Sequence, residues 1–189
     1  MKYNREKHHR RSLRLKGYDY ANPGAYYVTI CSWQRMHLFG EIIEGEMLTS
    51  ERGEIVHGCW TDITKHFNDI ELDEFILMPN HIHGIIIING ERRGFACNTP
   101  AGNGNYFSEI SPKQYTLSVI IRSFKSAVAK SINALRNTPG VPVWQRNYYE
   151  HIIRDEKDLM LIREYIRNNP LNWKNDGENT ENMQEGHTC

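Results

Sequence analysis

Between residues 75 and 88 the sequence reads FILMPNHIHGIIII, and this stretch constrains the fold more than any other. Pro79-Asn80 interrupts two apolar runs with good turn chemistry, so the runs are predicted to fold back on each other as an antiparallel hairpin. Apart from its two histidines, the second run is apolar at nearly every position from His81 to Ile88. A strand of that kind is buried on both faces and belongs in the middle of a sheet. At 189 residues the chain can wrap one core around such a strand.

The remaining elements arrange themselves around that hairpin. Residues 25–33 (AYYVTICSW) are rich in aromatic and β-branched side chains and predict a strand. Residues 38–48 predict a small hairpin turning near Glu44-Gly45. In residues 51–67, Ile55, Val56, Cys59, Trp60, Ile63 and Phe67 recur at helical spacing. Leu117, Ile120, Ile121, Phe124, Val128, Ile132 and Leu135 mark a second helix, with Thr116 as N-cap and Thr138-Pro139-Gly140 as its end. Residues 147–153 predict another strand. A last helix starts at the cap Asp155, carries the stripe Leu159–Ile162–Ile166 and stops at Pro170. The order predicts an α+β domain: a ferredoxin-like split β-α-β antiparallel sheet with helices on one face, plus a C-terminal helix.

Residues 89–115, rich in Gly, Pro, Asn and Ser, read as a long loop of the kind associated with mobility or function. Net charge is zero, but its distribution is uneven. Residues 1–24 form a basic arm, residues 25–173 the domain, and residues 174–189 an acidic tail whose composition predicts disorder. The four cysteines show no paired spacing, which argues against a disulfide framework or a zinc cluster. With no apolar stretch long enough for a membrane span and no signal-like start, the expectation is a cytoplasmic protein without a membrane partner.

His81 and His83 lie two apart on a predicted strand, so both imidazoles project from one face and can chelate one divalent ion. Ile82 points the other way, into apolar packing. Hydrogen-bonded core histidines give the same H-x-H pattern. Tyr165 and Asn169 are four apart on the last predicted helix, stacked on one face beside the apolar stripe. Taken alone, they read as a core-edge tyrosine and a helix end. Together with the histidines, the Asn169 oxygen could supply a third ligand, a set suited to Mg²⁺ or Mn²⁺ holding a phosphate. Tyr165 would then face that phosphate. A free phenol ionises only near pH ~10 and would need activation to act as a nucleophile.

Four ordered blocks carry a family resemblance: RRSLRLKGYDYANPGAYYVTI, LMPNHIHGIII, SVIIRSFKSAV and VWQRNYYEHIIRDEKDLMLIREYIRNNPLNW. In these blocks the chain resembles the REP-associated tyrosine transposases of the HUH single-strand endonuclease superfamily. The resemblance covers most of the chain outside 89–115 and the tail. It implies that His81 and His83 are metal ligands, Tyr165 the nucleophile and Asn169 the amide-type third ligand, with Tyr148 and Tyr149 ranking below Tyr165. It implies an endonuclease and strand transferase that cuts and rejoins single-stranded, hairpin-bearing DNA through a 5′-phosphotyrosine link.

Arg122, Lys125, Lys130 and Arg136 lie on or just after the second helix, Arg146 and Arg154 flank the next strand, and Arg163 and Arg167 lie on the last helix. Grouped near the site, Arg122, Lys125, Arg146, Arg154, Arg163 and Arg167 would form a track for the DNA backbone, with Trp144 and Tyr148 available to stack on bases. The main alternative is a domesticated DNA-binding protein that holds hairpin repeats without cutting. A metal-dependent hydrolase with Tyr165 as a packing residue is a second, and an RNA-binding ferredoxin-like module a third. Monomer and homodimer both remain open, because a helix completing its own site or a partner's reads identically.

Overall fold

A computed structural model of the chain describes residues 22–89 and 116–179. Nearly all of the basic arm and of the long loop, and the end of the acidic tail, lie outside the described residues. The main sheet has four antiparallel strands: β1 (Gly24–Cys31), β4 (Ile70–Met78), β5 (His81–Ile88) and β6 (Tyr149–Ile153), in the order β4-β5-β1-β6. This is the predicted ferredoxin-like arrangement, with β5 inside the sheet, between β4 and β1. The Pro79-Asn80 turn closes the β4–β5 hairpin, pairing Met78 with His81.

The short hairpin also forms, as β2 (Gly40–Ile43) and β3 (Glu46–Thr49). Its turn places Glu44 and Gly45 at φ values of 53° and 82°. Two successive positive φ angles match the twist of a two-residue hairpin, and glycine takes the second without strain.

Strand alternation divides the core in two. Val28, Ile30, Ile82 and Ile86 face α1 (Glu51–Thr61) and α3 (Leu117–Leu135), where Val56, Trp60, Ile120, Phe124 and Val128 complete the larger cluster. Tyr27 and Ile85 face the other way, against Ile166 of α4 (Glu156–Asn168), with Leu159 and Ile162 alongside. The side chains of Ser50, Thr116 and Asp155 accept from Gly53, Val119 and Asp158 backbone N–H groups and so cap α1, α3 and α4.

Three boundaries differ from the sequence expectation. The first strand ends at Cys31, because the chain turns at residues 33–35 with Gln34 and Arg35 at positive φ. The helix expected over 51–67 breaks at Asp62, whose N–H contacts the Gly58 and Trp60 carbonyls, and a single turn α2 (Ile63–His66) follows. β6 starts at Tyr149 rather than residue 147.

Gly84 is packed tightly against the larger core. A Cβ there would lie 2.4 Å from Cζ2 of Trp60, itself buried against Phe75 and Phe124. Gly84→Ala should therefore destabilise the domain by roughly 1–3 kcal/mol through overpacking, measured as a lower urea midpoint with an unchanged slope.

Candidate metal and tyrosine site

Two residues apart on β5, His81 and His83 project from the sheet face that α4 covers. Their cross-strand partners on β1 are Cys31 and Thr29. Both imidazoles are buried, and their Nε2 atoms lie 2.9 Å apart. Ile82 lies on the opposite face in the larger core, as its position between them requires.

The outer nitrogens are occupied. His81 Nδ1 lies 2.7 Å from Asn80 Oδ1, and His83 Nδ1 meets the Tyr27 hydroxyl at 2.7 Å and Thr29 Oγ1 at 2.9 Å. Thr29 also donates to Tyr27 at 3.1 Å. Burial pulls the His81 pKa down to about 4, with the charge of Asp176 opposing the shift and Arg35 adding to it. His83 is held well below the usual histidine range by burial and then by His81. At neutral pH the pair is therefore uncharged, the form that ligates metals.

A third donor comes from a residue that the sequence reading assigned to the acidic tail. Asp176 is buried, and its carboxylate, His81 and His83 offer ligand atoms all within 4.8 Å of one another. Two imidazoles and a carboxylate can hold a divalent ion. The chain reaches this position by a 3₁₀ turn at Trp173–Asn175. Trp173 is buried beside His81 and His37, and Arg35 pairs with Glu178 at 2.8 Å. The first part of the expected disordered segment is thus packed structure up to Asn179. Buried Trp173, Asp176 and Asn179 outweigh its polar composition.

Tyr165 is half exposed on α4, with its ring 5.3 Å from that of His83 and 6.3 Å from that of Tyr27. Burial and then the Asp176 charge raise its pKa, while hydrogen bonding from Asn169 and Tyr27 pulls the other way. Asn169, the helix C-cap, is 2% exposed, and its Oδ1 has no hydrogen-bond partner among the described residues. An orphaned, buried carbonyl oxygen beside the tyrosine fits a hard cation, as do the neutral imidazole pair and the carboxylate. Tyr149 lies on the same side, 48% exposed, with its ring 6.2 Å from that of Tyr27.

The expected DNA-track residues are not brought together. Arg163 pairs with Asp73 through bonds of 2.9 and 2.5 Å, and Arg167 pairs with Glu74. Both acids sit in a β-bulge of β4. The Lys125 ammonium donates to the carbonyls of Gln145, Arg146 and Asn147 at 2.5, 3.3 and 3.2 Å. Burial lowers its pKa to about 8. Arg122 and Lys130 are exposed on α3, in the layer opposite the histidines, and Arg136 bonds Asn133 and the Val141 carbonyl. Arg146 and Arg154 are exposed at either side of β6. Trp144 is a correction: it is buried between Phe39 and Phe124 and is not available to stack on bases. Tyr148 likewise packs against the larger core.

The fold and these residues define a class: a ferredoxin-like domain with a histidine pair on its sheet, beneath a tyrosine-bearing C-terminal helix. No family model matches the chain. A Haemophilus influenzae protein described only as uncharacterized is 45% identical over 175 residues, spanning 93% of this chain and 96% of its own length. A putative REP-associated tyrosine transposase of the same organism is 24% identical over 81% of this chain and 73% of its own. A solved REP-associated tyrosine transposase, bound to a REP hairpin, shares the fold with a TM-score of 0.52 at 18% identity, covering 84% of this chain and 73% of that one. In sequence and fold the chain is similar to REP-associated tyrosine transposases. No helix among the described residues is long and apolar enough to cross a membrane.

The depressed histidine pKa values fix a sign for acid stability. An unfolded chain protonates its histidines below pH ~6.5, whereas folded His81 resists down to about 4 and His83 is likewise held neutral by burial. Stability is therefore fully present above pH ~6.5 and is lost as the pH falls through that window, by at most ~1.4 kcal/mol per unit and group. Melting curves recorded in EDTA should show this loss, and His81→Gln/His83→Gln should remove it. Asp73, Asp62 and Asp158 act only lower, because their folded pKa values lie below 3.8.

Proposed function

We propose that this protein cleaves and rejoins single-stranded DNA flanking folded hairpins, with Tyr165 as nucleophile. The observation that carries this reading is the half-exposed Tyr165 beside two buried, neutral histidines whose Nε2 atoms face each other at 2.9 Å. The two Nε2 atoms converge on one point, as a pair of ligands to a single divalent ion would. The REP hairpin bound by the solved relative supports hairpin DNA as the substrate class.

His81 and His83 would hold Mg²⁺ or Mn²⁺, with Asn169 Oδ1 and Asp176 as the oxygen donors at hand. The ion, when bound, supplies Lewis-acid withdrawal of charge from a phosphodiester. The chain itself does the rest. Tyr27 and Asn169, beside Tyr165, favour its ionised form and oppose the desolvation that raises its pKa. Tyr165 Oη bonds to phosphorus as the bond to the 3′ oxygen breaks. The leaving 3′ oxygen takes up the proton that Tyr165 gives up and becomes a 3′-hydroxyl, and the 5′-phosphotyrosine link keeps the bond energy for resealing. Arg146 and Arg154, both exposed beside β6, would contact the flanking strand. The neutralised Arg163 and Arg167 instead hold α4 against β4.

Wild-type protein, Mn²⁺ and labelled hairpin DNA from beside its own gene should give a covalent protein–DNA band on a denaturing gel, absent in Tyr165→Phe. Tight binding with no adduct would establish a non-cleaving binder, and cleavage surviving in Tyr165→Phe would establish a hydrolase. His81→Ala/His83→Ala should abolish Mn²⁺ binding by calorimetry. Replacing Arg146 and Arg154 by Gln should weaken binding uniformly across sequences. It should also flatten the slope of log affinity against log salt by about 0.7 for each lost single-strand phosphate contact.

A further inference from the structure

Asn80, in the turn before the histidine strand, is fully buried. Its Nδ2 donates to the Glu178 carbonyl at 2.8 Å and to the Arg35 carbonyl at 3.2 Å. Carbonyl oxygens only accept, so these bonds fix the amide with its oxygen toward His81, 2.7 Å from Nδ1. An amide oxygen also only accepts, so the proton on neutral His81 must reside on Nδ1. The Nε2 lone pair is then left facing His83. This is the less common tautomer of a free imidazole, and here two backbone carbonyls distant in sequence select it.

We propose that Asn80 is a positioning residue that sets the His81 tautomer and ring orientation, so that Nε2 is ready to ligate a metal. The amide joins three segments. The turn after β1 contributes Arg35, with φ of 55°, the β4–β5 turn contributes Asn80, and the C-terminal segment contributes Glu178. The same C-terminal segment carries Asp176, so one side chain orients a histidine ligand and seats the strip of chain that brings the carboxylate to it. The metal part of this inference rests on the metal reading of the site, but the tautomer part does not.

Two measurements on the full chain test it. In metal-free protein near pH 7, long-range ¹H–¹⁵N spectra should show His81 protonated on Nδ1. Asn80→Ala should shift His81 toward the Nε2-protonated form, while Asn80→Asp, which keeps the acceptor, should retain the native tautomer. Calorimetric titration with Mn²⁺ should show a roughly 10–100-fold weaker site in Asn80→Ala, as expected for loss of a ligand-orienting partner. A wild-type His81 protonated on Nε2, or an unchanged Mn²⁺ affinity in a folded Asn80→Ala, would overturn the proposal. If Asn80→Ala does not fold, the wild-type spectrum and Asn80→Asp decide. Wild-type protein that binds no Mn²⁺ yet shows the Nδ1–H tautomer would sink the metal reading and leave the tautomer assignment standing.

Discussion

Two imidazoles can be buried at the centre of this sheet only because neighbouring polar groups meet their outer nitrogens on the same face. Thr29 and Tyr27, on β1, reach His83, and Asn80 reaches His81. An unmatched buried polar group costs on the order of 1–3 kcal/mol, so the arrangement is as much a folding requirement as a functional one. The antiparallel register pairs Thr29 with His83 directly and places Tyr27 one step along the same face. Shifting β1 by one residue would turn Tyr27 and Thr29 to the opposite face and leave the imidazoles against apolar side chains. Strand register and site chemistry are therefore set by the same pairing.

The other face of β5 imposes a complementary demand. Ile82 and Ile86 fill the helix-covered core, while Gly84 between them leaves room for the Trp60 ring. The strand carries a packing code on one side and a ligand code on the other. Alternation keeps the two from interfering. That is why a short HIHG segment supports both a dense core and a polar cluster.

Much of this was legible in the sequence. Aromatic, β-branched and continuous apolar runs pointed to the strands and helical spacing to the helices, Thr116 and Asp155 announced their helix starts, and H-x-H implied a shared face. Asp176 was not legible, because it follows a proline, a turn and a single 3₁₀ turn rather than a periodic element. No spacing rule connects it to residue 81. The pairing of Arg163 with Asp73 spans 90 positions, and its geometry depends on a bulge that composition does not reveal. Trp144 looked like a free aromatic in a proline-flanked stretch. Its lone bridge to Ser32 fixes it at the end of the sheet and turns the ring into the core.

The way α4 is attached has a consequence for the chemistry it carries. Ile166 is the only buried residue within the helix, and its other apolar contacts, Leu159 and Ile162, are partial. Much of the remaining attachment is ionic and near solvent, through Arg163 and Arg167 to the β4 bulge. Exposed pairs weaken as counterions accumulate, whereas the sheet beneath depends on buried apolar surface that salt leaves intact. The tyrosine is thus mounted on one of the most easily released parts of the domain. Rising ionic strength would loosen that mount before it melts the fold, and amide protons of residues 156–168 would exchange ahead of those in β1 and β5.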